Sequence, residues 1–157
     1  MRALVAVSRL RLVSVGPPTP YRERCLALAR DAGVAERVEM RGYVPRGEVL
    51  ELYARALVAA VPSRYEGFGY GAAQALCAGV PLVSSNAASL PEVAGNDATL
   101  VDPDDVEAWS AALLDVMEAP DVAEARAASA RNAARVRFAW PAAARATSEA
   151  YALSVLR

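Results

Sequence analysis

Short apolar runs alternate along this chain with longer stretches in which apolar residues recur every three or four positions. Runs at residues 12–15, 37–40, 57–61, 81–84 and 98–101 have the length of strands, and each ends at a turn signal. Helices are expected between them. The first has Thr19 as cap and Pro20 at its first position, Cys25, Leu28 and Ala29 on one face, and Gly33 as its stop. Val49, Leu52, Tyr53 and Ala56 repeat at helical spacing in the second. A third begins near Phe68 or Gly69 and is stopped by Gly79. After Asp102, Pro103, Asp104 and Asp105, whose carboxylates suit a helix N-terminus, the pattern is helical to Arg157, broken near Ala119–Pro120 and Trp140–Pro141. Such alternation predicts an α/β fold, a parallel sheet flanked by helices with a helical C-terminal segment, and the length suits a single domain over 1–157.

The first ten residues fit this scheme poorly. Leu4, Val5, Ala6 and Val7 read as a strand, yet only four residues separate Val7 from Leu12. A parallel crossover needs a dozen or more. The two runs then form a hairpin or one continuous strand, or a crossover helix is missing from the chain.

Composition narrows the function. Seventeen basic and 18 acidic residues give a net charge of −1, which lacks the electrostatic footprint of a nucleic-acid or anionic-membrane binder. With no His, the chain has no Ser-His-Asp or Cys-His nucleophile and no His-ligated metal. Every basic residue is Arg, Ile is absent and Ala is abundant, a bias we read as codon composition. Cys25 and Cys77 stand in apolar helical contexts as small buried hydrophobes, which suits a reducing, cytoplasmic compartment. The N-terminal apolar run is shorter than a signal-peptide core, and no run approaches the ~18 residues of a membrane span.

Chemistry is expected beyond the carboxyl ends of parallel strands, where a loop enters a helix N-terminus. The stretch Val61-Pro62-Ser63-Arg64-Tyr65-Glu66-Gly67-Phe68-Gly69-Tyr70-Gly71 lies in such a place. Its glycines admit a ligand close to the backbone, and the first N–H groups of the next helix favour an anion such as a phosphate. A structural tight turn accounts for the spaced glycines equally well.

The order of residues goes further. PSRYEGFGYGAAQALCAGVPLVSS resembles the donor-site motif of the group 1 (family 4) glycosyltransferases, retaining enzymes of GT-B architecture, roughly P-S-x-x-E-G-F-G-x-x-x-x-E-A-x-A-x-G-x-P-V-V. LVSVGPPTPYRERCLALARDAG resembles that family's strand, glycine turn at Gly16 and following helix. RVEMRGYVPRGEVLELYARA resembles the nucleobase-loop segment, SLPEVAGNDATLVDPDD its P-E-V region, and RFAW its terminal F-x-W. The resemblance implies a Rossmann-like sheet forming one half of a GT-B architecture. It implies a nucleoside diphosphate sugar as donor substrate, with no cofactor and no metal. Glu66 would contact the transferred sugar, Gly67, Phe68 and Gly69 would approach sugar and phosphates, and Tyr70 and Gly71 would offer N–H groups to the diphosphate. Tyr43 and Val44 would read the nucleobase through main-chain groups.

Two departures bear on activity. The family's second Glu, eight residues after the first, stands here as Gln74, which keeps a hydrogen bond to a ribose hydroxyl but forfeits its charge-assisted strength. The family also carries an Arg and a Lys on an upstream strand-turn-helix segment. Residues 5–10 resemble the start of that segment, making Arg9 the family Arg, but the chain contains no Lys. This gap coincides with the missing crossover, so the resemblance implies an omitted or deleted segment.

Other features have plainer readings. Arg126, Arg131, Arg135 and Arg137 form a solvated helix face. Helix capping explains Asp102, Asp104 and Asp105 better than a metal does. Ser63 serves local turn chemistry, and Trp109, Phe138, Trp140 and Tyr151 are packing residues. The implied function is retaining transfer of a hexose-like sugar, with the acceptor-binding N-terminal domain absent and any membrane contact made through that domain. The alternative is a non-catalytic binding domain whose donor site has decayed.

Overall fold

A computed structural model describes residues 1–7 and 10–155. The chain divides into two compact units, Met1–Leu52 and Tyr53–Arg157.

The first unit contains α1 (Arg2–Ala6), β1 (Leu12–Val15), α2 (Tyr21–Asp31), a short 3-10 turn (Ala35–Arg37), β2 (Val38–Arg41) and the start of α3 (Arg46–Arg55). β1 and β2 pair in parallel, with Leu12 opposite Val38 and Val15 opposite Arg41. The expected strand over Leu4–Val7 is not formed, because residues up to Ala6 are helical. Ala3 and Leu4 are buried, and Leu4 joins Ala29 and Val34 in the unit's core. A four-residue apolar run cannot by itself distinguish a buried helical turn from a strand, and here burial on one side decided it. Arg37 closes that helix by donating Nη1–H to the Val7 carbonyl at 2.8 Å. A helix directly before β1 needs no crossover between two strands, so the geometric puzzle of the N-terminus disappears. α2 begins one residue later than expected. Thr19 gives its backbone carbonyl to Arg22 N–H, and no side chain caps the helix. Leu28, expected on the packed face, is exposed, whereas Ala29 is fully buried.

The second unit contains β3 (Ala59–Val61), α4 (Tyr70–Ala78), β4 (Leu82–Ser85), α5 (Leu90–Ala94), β5 (Thr99–Val101), α6 (Val106–Glu118), α7 (Pro120–Arg137) and α8 (Trp140–Val155). Its strands form a parallel sheet in the order β3-β4-β5. All four residues of the central strand are buried, and successive side chains serve opposite faces. Leu82 packs among Leu76, Leu90, Val93 and Ala134, while Val83 packs with Val101 and Ala112. α4, α5 and α7 therefore cover one face and α6 the other. Buried alanines on α4 (Ala72, Ala73, Ala75) and α7 (Ala127, Ala130, Ala134) let these helices approach closely, so the abundant alanine has a packing use.

The late arginines are not merely solvated. Arg126 donates to the Asn96 carbonyl at 2.6 Å, Arg135 to the Cys77 carbonyl at 2.8 Å, and Arg137 to the Val93 carbonyl. Cys77 and Val93 lie in the last turns of α4 and α5, where carbonyls lack intrahelical donors and a cation opposes the negative dipole end. Trp109 and Phe138 pack as expected, but Trp140 and Tyr151 are exposed. Neither cysteine is fully buried, and both are free; partial burial pushes the Cys77 thiol up.

Candidate active site

Parallel pairing sends the chain out of β3, β4 and β5 at one edge of the second unit, so three loops gather there. The loop after β3 carries Ser63 to Gly69 into α4. Four hydrogen-bonded ties hold it. Ser63 Oγ donates to Glu66 Oε1 at 2.8 Å, and Ser89 Oγ donates to the Glu66 carbonyl at 2.9 Å. Ser85 Oγ, fully buried at the end of β4, donates to the Ser63 carbonyl. Arg64 reaches the loop after β5, its Nε donating to Asp104 Oδ1 at 2.9 Å.

Gly69 turns the loop into α4 with φ +94 and ψ +54, the left-handed region that glycine tolerates best. No side chain caps α4. The N–H groups of Tyr70, Gly71 and Ala72 belong to the first turn, which a helix leaves without intrahelical acceptors; that of Ala73 already bonds to the Gly69 carbonyl. An open N-terminus of this kind presents donors and the positive end of the helix dipole. The Gly71 carbonyl accepts from Tyr53 Oη at 3.1 Å, and burial pushes the Tyr53 phenol up.

Glu66 is half-buried, three residues before Gly69 in the loop that enters α4. Phe68 lies 5.1 Å from the Tyr70 ring, tilted, and meets Phe138 edge-on at 5.8 Å. Gln74 is exposed on α4, four residues after Tyr70 and so on its side of the helix. Glu66, Gly67, Phe68, Gly69, Tyr70, Gly71 and Gln74 are thus gathered around one helix entrance. Asp105 caps α6 by accepting from Ala108 N–H at 2.9 Å, as its sequence position suggested.

Gly16, Tyr43 and Val44 belong to the first unit. Val15 and Arg41 are opposed in register, so the turn at Gly16 and the loop bearing Tyr43 and Val44 leave β1 and β2 at the same edge. Tyr43 is 85% exposed. Arg41 braces that loop by pairing with Glu39 and with Glu48 of α3, and its guanidinium holds the Glu39 carboxyl below the usual range. Arg9 lies outside the described residues. The strand on which its comparison rested is replaced by helix α1.

The ties from Ser85 and Ser89 and the Arg64–Asp104 pair were not legible in the sequence. Serines at strand ends read as turn chemistry, and nothing local signals a partner 22 to 40 residues away. A recess of about 360 Å³ lined by Tyr53, Arg55, Gly79, Pro81 and Arg131 is not this site. It lies at the amino ends of β3 and β4, where α3 and α4 present their negative ends.

Comparison with known proteins agrees with this geometry. The family model for glycosyl transferases group 1 matches residues 2–136. O-antigen chain mannosyltransferase B of Escherichia coli is 42% identical over 113 residues, covering 71% of this chain and 29% of that protein. Sucrose-phosphate synthase from Thermosynechococcus elongatus superposes with a TM-score of 0.83 at 25% identity, over 98% of this chain and 41% of that one. Anabaena HepE in complex with UDP gives 0.82 at 21% identity, over 98% and 43%. The chain therefore spans between about three tenths and just over two fifths of these proteins. With a parallel α/β fold like theirs and a family match over most of its length, this chain belongs to the group 1 glycosyltransferases of GT-B architecture.

Proposed function

We propose that this chain is a nucleoside diphosphate-sugar-binding domain, one half of a retaining glycosyltransferase that transfers a hexose-like sugar. The carrying observation is Glu66, hydrogen-bonded into place in the loop that leads into the uncapped N-terminus of α4. In this reading the diphosphate lies on the N–H groups of Tyr70 and Gly71, where the helix dipole opposes its charge. Gln74, one turn further, takes a ribose hydroxyl. That HepE was solved with UDP supports a nucleotide ligand of this class.

The reaction breaks the bond between sugar C1 and the diphosphate oxygen and forms one from C1 to an acceptor hydroxyl oxygen. The acceptor's proton passes to the departing diphosphate, a base already at hand in a chain without His. Positive charge developing on the ring is stabilised by the Glu66 carboxylate, and negative charge on the leaving group by the α4 N–H groups. Retention follows when the acceptor enters on the face the diphosphate leaves. The acceptor half lies outside this chain, which spans 41% of the sucrose-phosphate synthase chain and 43% of the HepE chain. Free cysteines accord with a reducing, cytoplasmic setting, and among the described residues no helix is long and apolar enough to cross a membrane.

Calorimetric titration with UDP, GDP, ADP and their hexose derivatives tests binding: at least one is expected to bind, and no heat with any of them overturns the reading. In the full gene product Glu66→Ala is expected to lower turnover about a hundredfold. Unchanged turnover removes Glu66 from the role.

A further inference from the structure

A glutamate side chain has several rotatable bonds, and ordering it costs rotamer freedom. Glu66 is only half-buried, so packing alone does not hold it. Ser63 does. Its Oγ lies 2.8 Å from Glu66 Oε1, and because a carboxylate only accepts, the serine donates. The serine is itself held from behind, since its carbonyl accepts from the buried Ser85 hydroxyl. Ser89 holds the Glu66 backbone through its carbonyl at 2.9 Å. Both ends of the Ser63–Glu66 stretch are therefore tied to the end of β4 and the turn that follows it, and the side-chain bond closes across the stretch. Among the described residues, no side chain bonds Oε2.

We infer that Ser63 is a positioning residue for Glu66. It fixes one carboxylate oxygen so that the other faces the hydroxyls of the transferred sugar, while Ser85 and Ser89 keep the loop in register. The inference rests on the reading of Glu66 as the sugar-contacting carboxylate. It goes beyond turn formation, because a serine that only made a turn would give its hydroxyl to nearby backbone groups and leave the carboxylate free.

The test is a mutant cycle in the full gene product, with UDP, GDP and ADP hexoses as donors and UDP, GDP and ADP as binding probes. Ser63→Ala is expected to lower kcat about tenfold, the scale of one charge-assisted hydrogen bond. Nucleoside diphosphate affinity and Tm should stay close to the parent's. Ser63→Thr keeps the hydroxyl and should recover kcat to within about threefold of the parent. Adding Ser63→Ala to Glu66→Ala should cost nothing further, since the serine acts through the glutamate. If Glu66→Ala collapses turnover while Ser63→Ala leaves kcat intact, the positioning role is overturned and the reading of Glu66 survives. An equal Ser63→Ala loss in both backgrounds, or one tracking a fall in Tm or nucleotide affinity, overturns it as well. If Glu66→Ala itself leaves turnover unchanged, the reading of the site fails instead.

Discussion

A methyl group at Gly69 would stand 2.7 Å from Leu90 Cδ2, closer than real side-chain contacts come. Leu90 is fully buried at the start of α5. The turn that aims α4 at the loop edge is thus seated directly on the core. Gly69→Ala meets this clash and adds a left-handed backbone strain, together about 2–4 kcal/mol of destabilisation. Denaturant unfolding should show it, and a loss below about 1 kcal/mol would mean that the turn relaxes freely.

Gln74→Glu should tighten nucleoside diphosphate binding about fivefold, because a carboxylate accepts a ribose hydroxyl more strongly than an amide does. Calorimetry on the two proteins measures it. No gain, in a parent that binds nothing, supports the alternative of a decayed site.

Arg137 joins two interactions, a hydrogen bond to the Val93 carbonyl and a guanidinium placed 4.4 Å above the centre of the Phe138 ring. Arg137→Ala should destabilise the protein by about 1–2 kcal/mol, and Arg137→Lys should recover only part of that, lacking the planar stacking surface. A thermal or denaturant midpoint unchanged in Arg137→Ala would show the residue to be a solvated charge after all.

Tyr53 gives the protein an alkaline limit. Burial favours its neutral phenol, so its folded-state pKa lies above the ordinary value near 10. The stabilisation is complete below the unfolded pKa and lost as pH rises through the folded one, when the phenolate can no longer donate to Gly71. Tyr53→Phe should cost about 1 kcal/mol at neutral pH and show a shallower loss above pH 10. The comparison is a set of denaturant curves from pH 8 to 12, and identical alkaline slopes would exclude Tyr53 as the cause.

Much of the fold was legible because local rules carried it. The ends of α2 and α4 at Gly33 and Gly79, the cap at Asp105 and the break at Pro120 each follow from the backbone chemistry of one or two residues. The strands were found to within a residue or two, since each was a short apolar run between turn signals. The run Leu4–Val7 was not, because its length and apolarity suit either element and only burial against Ala29 and Val34 separates them. The late arginines are exposed, as a basic helix face suggests, but three of them also hold backbone carbonyls, because long side chains reach groups that a linear pattern cannot place beside them.

The sequence by itself determined the strand-helix alternation, the glycine-rich entry to α4 and the identity of the carboxylate that stands there, because periodicity and turn chemistry are properties of neighbouring residues. Only the tertiary structure decided how that carboxylate is held. Ser85 at the end of β4, Ser89 and Asp104 lie 22 to 40 residues downstream of the residues they hold. They meet those residues because parallel strands release their chain at one common edge, and a hydrogen bond forms only between groups that the fold has brought within about 3 Å.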